Sequence, residues 1–414
     1  MTAYSSIPTS KRIDLLDILR GFALLGILVT NVMEYSIDDS ISTPPPELSV
    51  WTIGIVKALT SGSFYPMFSL LFGIGFAVWM DKSMKKNGGV WLFAWRSCVL
   101  FFLGYAFAIF IEGNSILITY ALLSIPLLLF YKAGSKVLLI SAIVFLSLGI
   151  LHQPITQQVQ NLKSPEVQAL KQNQIRKKVQ AYQAARKEAE KNKTFSSFVR
   201  ARKLLFSNQL KKVYTLYDNS LPMIFSMFLL GVFCWRKGFF TAVEKHIIFW
   251  KKVFWLGLLI GAGGQLFVFV CGILGYKKVF TPDEDILRYI EIITNPILTF
   301  FYVSLIVLLI HKLKGRHDSI LEALKATGRM PLSNFFLQFI IMAALMYPYG
   351  FGLKLFSYQL ILVAFCIYLF QMLLSIWWLK HFIYGPMEWL WRSLTYLKLQ
   401  SMKKVKQLAI RLFL

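Results

Sequence analysis

Cysteine is scarce in this sequence, with four residues among 414. All four lie inside apolar runs without CxxC spacing or a nearby histidine; they are Cys98, Cys234, Cys271 and Cys366. Such cysteines usually act as small packing residues, so the sequence predicts neither disulfides nor a zinc site, and no metal is expected. The HExxH, Walker and GxSxG signatures are also missing, which excludes the enzyme classes that these motifs identify.

Acidic residues are few as well. The chain has 20 Asp and Glu against 45 Lys and Arg, which gives a formal net charge of +25. In a soluble domain this balance would suggest nucleic acid, but no helix-turn-helix pattern or row of stacking aromatics accompanies the cations. Most of them stand at the ends of apolar runs or in one polar segment, which is typical of membrane topology. Nucleic acid is therefore not an expected partner.

Long uncharged apolar runs recur along the chain, in which 56% of the residues are hydrophobic and the mean hydropathy is +0.57. A bilayer core needs about 20 apolar residues per helix. The sequence thus predicts an all-α polytopic integral membrane protein with about ten transmembrane helices. The expected spans are approximately 15–35, 64–80, 91–111, 115–133, 136–152, 221–235, 253–275, 289–311, 331–348 and 356–379.

The positions of the charged residues predict the orientation of these spans. Lys11 and Arg12 precede the first span, whereas Asp38, Asp39 and Glu47 follow it. Because Lys and Arg favour the cytoplasmic side, both termini are predicted to be cytoplasmic. No A-x-A cleavage pattern follows the first apolar stretch, so this stretch is predicted to stay as a transmembrane helix and not to be removed as a signal peptide.

One polar segment departs from the charge rule. Residues 153–217 contain 14 Lys or Arg and three acidic residues, yet the helix count places them outside. Segments of more than about 60 residues cross membranes largely regardless of charge. The stretch 166–193 lacks Gly and Pro, which predicts a solvated helix or hairpin. Two interpretations stay open: a polar insert without fixed structure, or a cationic arm that binds anionic lipid head groups or an anionic polymer.

The end of the chain is predicted to lie along the cytoplasmic surface of the membrane. Trp389 and Trp391 suit an interfacial helix, and Glu388 and Arg392 are spaced for an i,i+4 ion pair. The chain then divides into helices 1–5 (1–152), a basic and extracytoplasmic insert (153–220), helices 6–10 (221–384) and an interfacial tail (385–414).

Polar residues within the first span are the main functional signal. Asp17, Arg20, Asn31 and Glu34 return to one stripe of the helix at 100° per residue. Charged groups at membrane depth cost about 2.5–3.5 kcal/mol each, so each requires a partner or a cavity. Either Arg20 reaches the interface and Glu34 meets outer water, or this face lines a polar cavity.

Two further polar groups are expected near this cavity. The ninth span carries Arg329, Ser333, Asn334 and Gln338, which either line the cavity or join helices by hydrogen bonds. Arg96 in the third span, with Glu112 and Asn114 at its outer end, forms the other group.

Several motifs resemble those of the YeiB-type bacterial membrane proteins, whose domain is of unknown function (domain of unknown function 418). They are Arg12-Ile-Asp-Leu-Leu-Asp-Ile-Leu-Arg-Gly through Asn31, Phe68-Ser-Leu-Leu-Phe-Gly-Ile-Gly75, Gly328-Arg-Met-Pro-Leu-Ser-Asn334 and Gly385-Pro-Met-Glu-Trp-Leu-Trp-Arg-Ser-Leu-Thr-Tyr396. The resemblance covers nearly the whole chain except the basic insert. It implies a multi-pass protein of the bacterial cytoplasmic membrane that contacts membrane lipids.

The Arg20-Gly21 opening is also similar to that of transmembrane acyltransferases, including the heparan-glucosaminide acetyltransferase group. This similarity implies transfer of an acyl group from cytoplasmic acyl-CoA to an extracytoplasmic glycan, wall polymer or lipid. Many of these enzymes have a His eleven residues after the Arg, where this chain has Asn31. Asn31, Glu34 and Glu112 are left as catalytic candidates. The missing His supports the alternative of a transporter or lipid-handling protein without covalent chemistry, and a regulatory partner protein is a third interpretation.

Overall fold

The computed structural model describes residues 14–38, 45–60, 62–83, 89–113, 115–161, 164–214, 220–276, 283–313 and 319–403. These residues form sixteen α-helices and no strand. The helices are α1 Asp14–Val32, α2 Glu47–Thr60, α3 Phe64–Ser83, α4 Gly89–Phe107, α5 Ile116–Leu127, α6 Ser135–Asn161, α7 Pro165–Asn192, α8 Phe195–Tyr214, α9 Ser220–Arg236, α10 Ile247–Leu256, α11 Gly263–Tyr276, α12 Glu284–Lys312, α13 Ser319–Gly328, α14 Pro331–Met346, α15 Ser357–His381 and α16 Pro386–Tyr396. Lys11, Arg12, Asp39 and Asn114 lie outside the described residues.

The apolar helices confirm the predicted fold class. Seven helical stretches are long and apolar enough to cross a membrane, and the bent pair α13–α14 adds an eighth if it is one span. Two shorter apolar helices, Ile116–Phe130 and Leu221–Arg236, fall on the predicted fourth and sixth spans. Every apolar segment expected from the sequence thus coincides with a helix. The count of ten and the cytoplasmic termini stay predictions.

Helix α1 lies in the middle of the bundle, where it contacts α2, α3 and α12–α15. Its closest approach is to α13, where a Cβ on Gly328 would overlap the carbonyl oxygen of Asp17 and the amide nitrogen of Gly21. A Cβ on Gly21 would in turn overlap the carbonyl of Leu324. Both positions therefore require glycine, and two of the sequence motifs that carry the family resemblance meet at this crossing.

Two helices are interrupted or extended by π-helical turns, in which the backbone bonds run from residue i to i+5. The first, π1, is Ala108–Glu112 and continues α4 to its end. The second, π2, is Gly257–Ala262 and joins α10 to α11. Gly113 ends π1 with φ +86°, and its N–H donates to the carbonyl of Ala108 at 2.8 Å. This turn fixes the position of Glu112, the last residue of π1.

The basic insert forms a helical hairpin. Helix α7 confirms the prediction for 166–193, and it packs against α8 after a tight turn at Lys193, whose φ is +53°. Helix α8 then packs against π1, so the hairpin lies on the same end of the bundle as Glu112. On either side of the hairpin in the chain, α6 and α9 pack directly on each other.

The first turn of α15 is held by a carboxylate from the loop after α1. Asp38 is 4% exposed and accepts hydrogen bonds from the Ser357 amide at 3.2 Å, from the Ser36 hydroxyl at 2.6 Å and from the Ser357 hydroxyl. Burial alone would raise the pKa of Asp38, but these bonds stabilise its charged form and together lower the pKa below 3.8. Asp38 therefore ties the end of α1 to the start of α15.

The tail contains a helix, as predicted, but the predicted ion pair between Glu388 and Arg392 is wrong. Arg392 lies over the ring of Tyr384 at 4.6 Å, and Glu388 points the other way, to α14. There it accepts hydrogen bonds from the backbone N–H groups of Leu332 at 2.6 Å and Ser333 at 3.1 Å. The first amides of α14 have no partner within the helix, so a buried carboxylate is more useful there than in an ion pair. Burial raises the pKa of Glu388.

Candidate functional site

The polar face of α1 is divided between its two ends. Asp17 and Arg20 form an ion pair at the N-terminal end, with 2.7 Å between Oδ1 and Nη1. Asn31 lies about 16 Å further along the axis at 1.5 Å per residue. Leu24 and Ile27, between them, are buried in the apolar core. The predicted polar residues of α1 therefore belong to two separate groups.

At the C-terminal end of α1, a narrow crevice separates this helix from α14. It is lined by Leu28, Asn31, Tyr35, Gln338, Phe339 and Met342. Gln338 is 1% exposed, and neither its Nε2 nor its Oε1 has a hydrogen-bond partner among the described residues. The Nδ2 of Asn31 is likewise buried without a partner. Because native proteins rarely leave buried amides unsatisfied, these atoms make the crevice a candidate functional site.

Glu112 lies beside this crevice at the end of π1. It accepts a hydrogen bond of 2.5 Å from the hydroxyl of Tyr35, one of the crevice residues. Glu34 is exposed and close enough to act electrostatically on Glu112. The structure thus brings together Asn31, Glu34, Glu112 and Gln338 from three different helical stretches. Glu112 contacts the crevice through the hydroxyl of Tyr35 and does not line it directly.

Tyrosine hydroxyls connect the crevice to α3 and α5. The hydroxyl of Tyr65 donates to Asn31 Oδ1 at 2.8 Å, and the hydroxyl of Tyr120 donates to the carbonyl of Tyr65 at 3.0 Å. Tyr120 is also 2.8 Å from the hydroxyl of Ser69. In this orientation the amide oxygen of Asn31 faces Tyr65, and its NH2 group is the part without a partner. The amide therefore presents a donor.

The basic hairpin covers this end of the bundle through Arg202 of α8. Arg202 is 3% exposed and donates to the carbonyl of Phe110 in π1 and to the hydroxyl of Tyr349, both at 2.9 Å. Its guanidinium also lies 4.8 Å from the ring centre of Tyr347. Tyr347 in turn contacts the ring of Tyr35, with 5.8 Å between the ring centres. The hairpin is thus anchored to the same residues that surround Glu112.

A second polar group lies at the N-terminal end of α1. Besides the Asp17–Arg20 pair, Lys325 of α13 forms an ion pair with Asp14 at 2.9 Å. Arg329 follows α13 directly, and its Nε has no partner among the described residues. Lys325 is also paired with Glu322 at 3.3 Å, so Arg329 is the cation of this group that has no carboxylate partner among the described residues. This cation can attract an anion.

Comparison with known proteins places this architecture in a family. The profile described as "Protein of unknown function (DUF418)" matches residues 234–398. "Uncharacterized protein YxaH" of Bacillus subtilis is 32% identical over 98% of this chain and 99% of its own length. The chain belongs to the DUF418 family. "Uncharacterized protein YeiB" of Escherichia coli is 23% identical over 92% of this chain and 95% of its own length. No solved structure matches the chain.

The two C-terminal motifs of this DUF418 protein pack against each other. Ser333, a predicted cavity residue, donates from its hydroxyl to Glu388 and accepts from the amide of Met387 at 3.0 Å. Any side chain on Gly385 would overlap Glu388 and Ser333. The hydrogen bonds between the two motifs therefore stabilise the 88° bend between α13 and α14. This position gives Ser333 a structural role and explains why the motif residues occur together.

Asn334 joins helices within this DUF418 bundle. Its Nδ2 donates to the carbonyl of Thr327 and to the hydroxyl of Ser375, both at 3.0 Å. Its backbone carbonyl accepts from Gln371 of α15 at 2.7 Å. Asn334 thus has the helix-joining role that the sequence left open, whereas Gln338, one turn later, faces the crevice.

Arg96 does not join Glu112, although both belong to the same helical stretch. Its guanidinium stacks on the ring of Trp391 at 3.7 Å, and the Trp391 indole donates to the Arg96 carbonyl at 3.1 Å. Sixteen residues of helix separate it from Glu112 by about 24 Å. Arg96 therefore anchors α16 at the opposite end of the bundle from the crevice.

Sequence reasoning missed Tyr35, Arg202 and Tyr347. Tyr35 resembles any aromatic residue at a membrane interface, and Arg202 is one of 14 cations in a polar segment. No group of three or more His, Cys, Asp or Glu suited to a metal occurs in the part of the chain that the structure describes.

Proposed function

We propose that this DUF418 protein is a membrane-embedded acyltransferase. In the proposed reaction it moves an acyl group from a cytoplasmic acyl-CoA to a hydroxyl of an extracytoplasmic glycan, wall polymer or lipid. The observation that carries the proposal is the pair of unpartnered amide donors, Asn31 Nδ2 and Gln338 Nε2, in the crevice beside the Tyr35–Glu112 hydrogen bond. Acyl transfer needs both a base and donors for a developing oxyanion.

The chemistry assigns one role to each group. Glu112 takes the proton of the acceptor hydroxyl while the hydroxyl oxygen attacks the thioester carbonyl carbon. The carbonyl oxygen becomes an oxyanion that accepts hydrogen bonds from the amides of Asn31 and Gln338. When the C–S bond breaks, the coenzyme A thiolate leaves and takes the proton from Glu112, so the ester and the free thiol are formed and the carboxylate is regenerated.

The basic end of α1 suits the phosphates of the donor. Arg20 and Arg329 lie at the end that the positive-inside pattern predicts to be cytoplasmic. The acyl thioester then has to extend about 16 Å along α1 from Arg20 to Asn31. Arginine is well suited to phosphate because its fork of N–H groups can bind two oxygens at once.

Labelled acetyl-CoA supplied to membrane vesicles tests the proposal. Inside-out and right-side-out vesicles from overexpressing cells are compared for protein-dependent label in their lipid and glycan fractions. The variants are Glu112→Gln, Gln338→Met and, as a matched control, Glu291→Gln, a carboxylate of α12 outside the crevice.

We expect label in inside-out vesicles, about 10²–10⁴-fold less with Glu112→Gln and about 10²–10³-fold less with Gln338→Met, and an unchanged rate with Glu291→Gln. The absence of protein-dependent label with acetyl-CoA and with longer acyl-CoAs, while the protein is folded, would refute the enzyme. The transporter would then be the function to test.

A further inference from the structure

The buried arginine of the basic hairpin makes no direct ion pair. Arg202 is 3% exposed, yet it forms no ion pair with a carboxylate in the described ranges. Its Nη1 and Nη2 donate to neutral oxygens, those of Phe110 and Tyr349, and its Nε is buried without a partner. A buried charge is expensive unless it is paired, so this arrangement is incomplete as it stands.

The surroundings of Arg202 carry further positive charge. Arg186 of α7 contributes a second positive charge that acts electrostatically on Glu112 and Tyr347. Arg186 is paired with Glu190 at 3.1 Å, but that carboxylate is about half exposed, and exposed pairs of this kind contribute little. Glu112 is the carboxylate that acts on both arginines, and it is already engaged by Tyr35.

Most of the unsatisfied atoms in and beside the crevice are hydrogen-bond donors. Arg202 Nε, Asn31 Nδ2 and Gln338 Nε2 are N–H donors without an acceptor, and Gln338 Oε1 is an acceptor without a donor. Contacts between neighbouring groups connect them, from Arg202 to the Tyr347 ring, from Tyr347 to Tyr35 and from Tyr35 to the crevice. A ligand that complements this set is rich in acceptor oxygens and carries negative charge near Arg202.

We propose that Arg202, assisted by Arg186, binds a phosphate group of the molecule that enters the crevice. The fork formed by Nε and an Nη matches two oxygens of a phosphate, which a single lysine cannot do. This assignment deepens the proposed function, on which it rests for the identity of the bound molecule as the acceptor. The acceptor class is then a phosphate-bearing alcohol, whether a phospholipid head group or a glycerol phosphate unit of a polymer.

The hairpin offers a matched control for this proposal. Arg200 is on the same helix, two residues before Arg202, but its side chain is exposed. Arg202→Gln and Arg200→Gln therefore remove the same charge from the same hairpin, one from the proposed site and one from the surface. Arg202→Lys keeps the charge and loses the fork.

Thermal unfolding of the purified full chain in detergent provides the readout. Each variant is titrated with phosphatidylglycerol in mixed micelles, with phosphatidylcholine in the same micelles, and with glycerol 3-phosphate or glycerate alone. The ligand-free curve of each variant serves as its own reference, which separates loss of binding from loss of stability. If Arg202→Gln does not fold, Arg202→Lys carries the comparison. No acyl-CoA is present, so the result is independent of whether acyl transfer occurs.

We expect phosphatidylglycerol to raise the unfolding temperature of the wild type more than phosphatidylcholine does. The apparent affinity should fall about tenfold or more with Arg202→Gln, fall less with Arg202→Lys, and change within about twofold with Arg200→Gln. A response to glycerol 3-phosphate indicates that the head group suffices, and a response to the lipid alone indicates that acyl chains are needed as well.

Three results would overturn the proposal. Equal losses in Arg202→Gln and Arg200→Gln would mean that diffuse charge attracts the anion, and such binding should also disappear in high salt. Equal responses to glycerate and glycerol 3-phosphate would contradict the choice of phosphate. If no phosphate probe stabilises the wild type, Arg202 does not bind phosphate and the proposal is wrong.

Discussion

Replacing Gln338 by methionine should make this protein more stable. The side chain is 1% exposed, and both of its polar atoms lack a partner among the described residues, whichever way the amide is oriented. An unsatisfied buried polar group costs about 1–3 kcal/mol, and methionine has a similar shape without that penalty. We therefore expect Gln338→Met to raise the free energy of unfolding by about 1–3 kcal/mol, which is the reverse of what most core substitutions do.

Gln371 provides the control, because it is equally buried and its Oε1 also lacks a partner, but its Nε2 donates to the carbonyl of Asn334 at 2.7 Å. Gln371→Met should leave stability unchanged or lower it by up to about 1.5 kcal/mol, since a made hydrogen bond is lost. Thermal and denaturant unfolding in the same detergent measures both. One kcal/mol shifts the midpoint by about 2–4 °C in a domain of 150–250 residues, and by less in a longer chain.

The two variants should thus move in opposite directions. A loss of stability in Gln338→Met as large as in Gln371→Met would refute the reasoning, because it would show that the amide is already satisfied, for instance by ordered water. If Gln338→Met gains stability and loses acyl transfer, Gln338 serves ligand binding at a cost to the stability of the fold.

Three other substitutions test the architecture by the same unfolding measurement. Gly328→Ala should destabilise the protein by about 1–3 kcal/mol or more, because its Cβ would overlap the backbone of α1. Gly272→Ala, with nothing within 4 Å of its Cβ, should be neutral or stabilising. Equal effects of the two substitutions would contradict the close crossing of α1 and α13. Asp38→Ala should lower the free energy of unfolding by about 1 kcal/mol at neutral pH. This difference from wild type should vanish as the pH falls below 3.8 and through the lowered pKa of Asp38, because the carboxylate is then protonated. A difference that does not change with pH would exclude a charged cap. Glu388→Ala should destabilise by at least about 1 kcal/mol and Arg392→Ala by less, because only Glu388 satisfies buried amides; the reverse order would favour the ion pair.

Hydrophobic composition predicted the helices well because membrane helices are a property of local sequence. The same logic fails for packing. Arg202 looks like any other cation of a polar insert, and only the docking of α8 on π1 buries it. Arg96 and Glu112 were grouped although helix geometry alone separates them by about 24 Å.

The sequence correctly placed polar residues on one face of α1, but this face contains two separate polar groups. Helical spacing alone cannot distinguish one site from two, because both give the same stripe of polar residues. Asn31 and Gln338 were identified as polar residues at membrane depth, and both line the same crevice. What the sequence lacked was the identity of their neighbours. Tyr35 and Tyr347 come from the ends of separate helices, and no spacing within the chain relates them.

The direct packing of α6 on α9 makes the hairpin between them modular. Ser226 of α9 donates to the carbonyl of Ala142 in α6 at 2.8 Å, so the two helices are joined inside the bundle without help from α7 or α8. A change in the length of the segment between them alters the entropic cost of loop closure only slightly, because this cost grows logarithmically with loop length. A shorter or longer segment here would leave this helix pair intact and change only the surface that the hairpin forms.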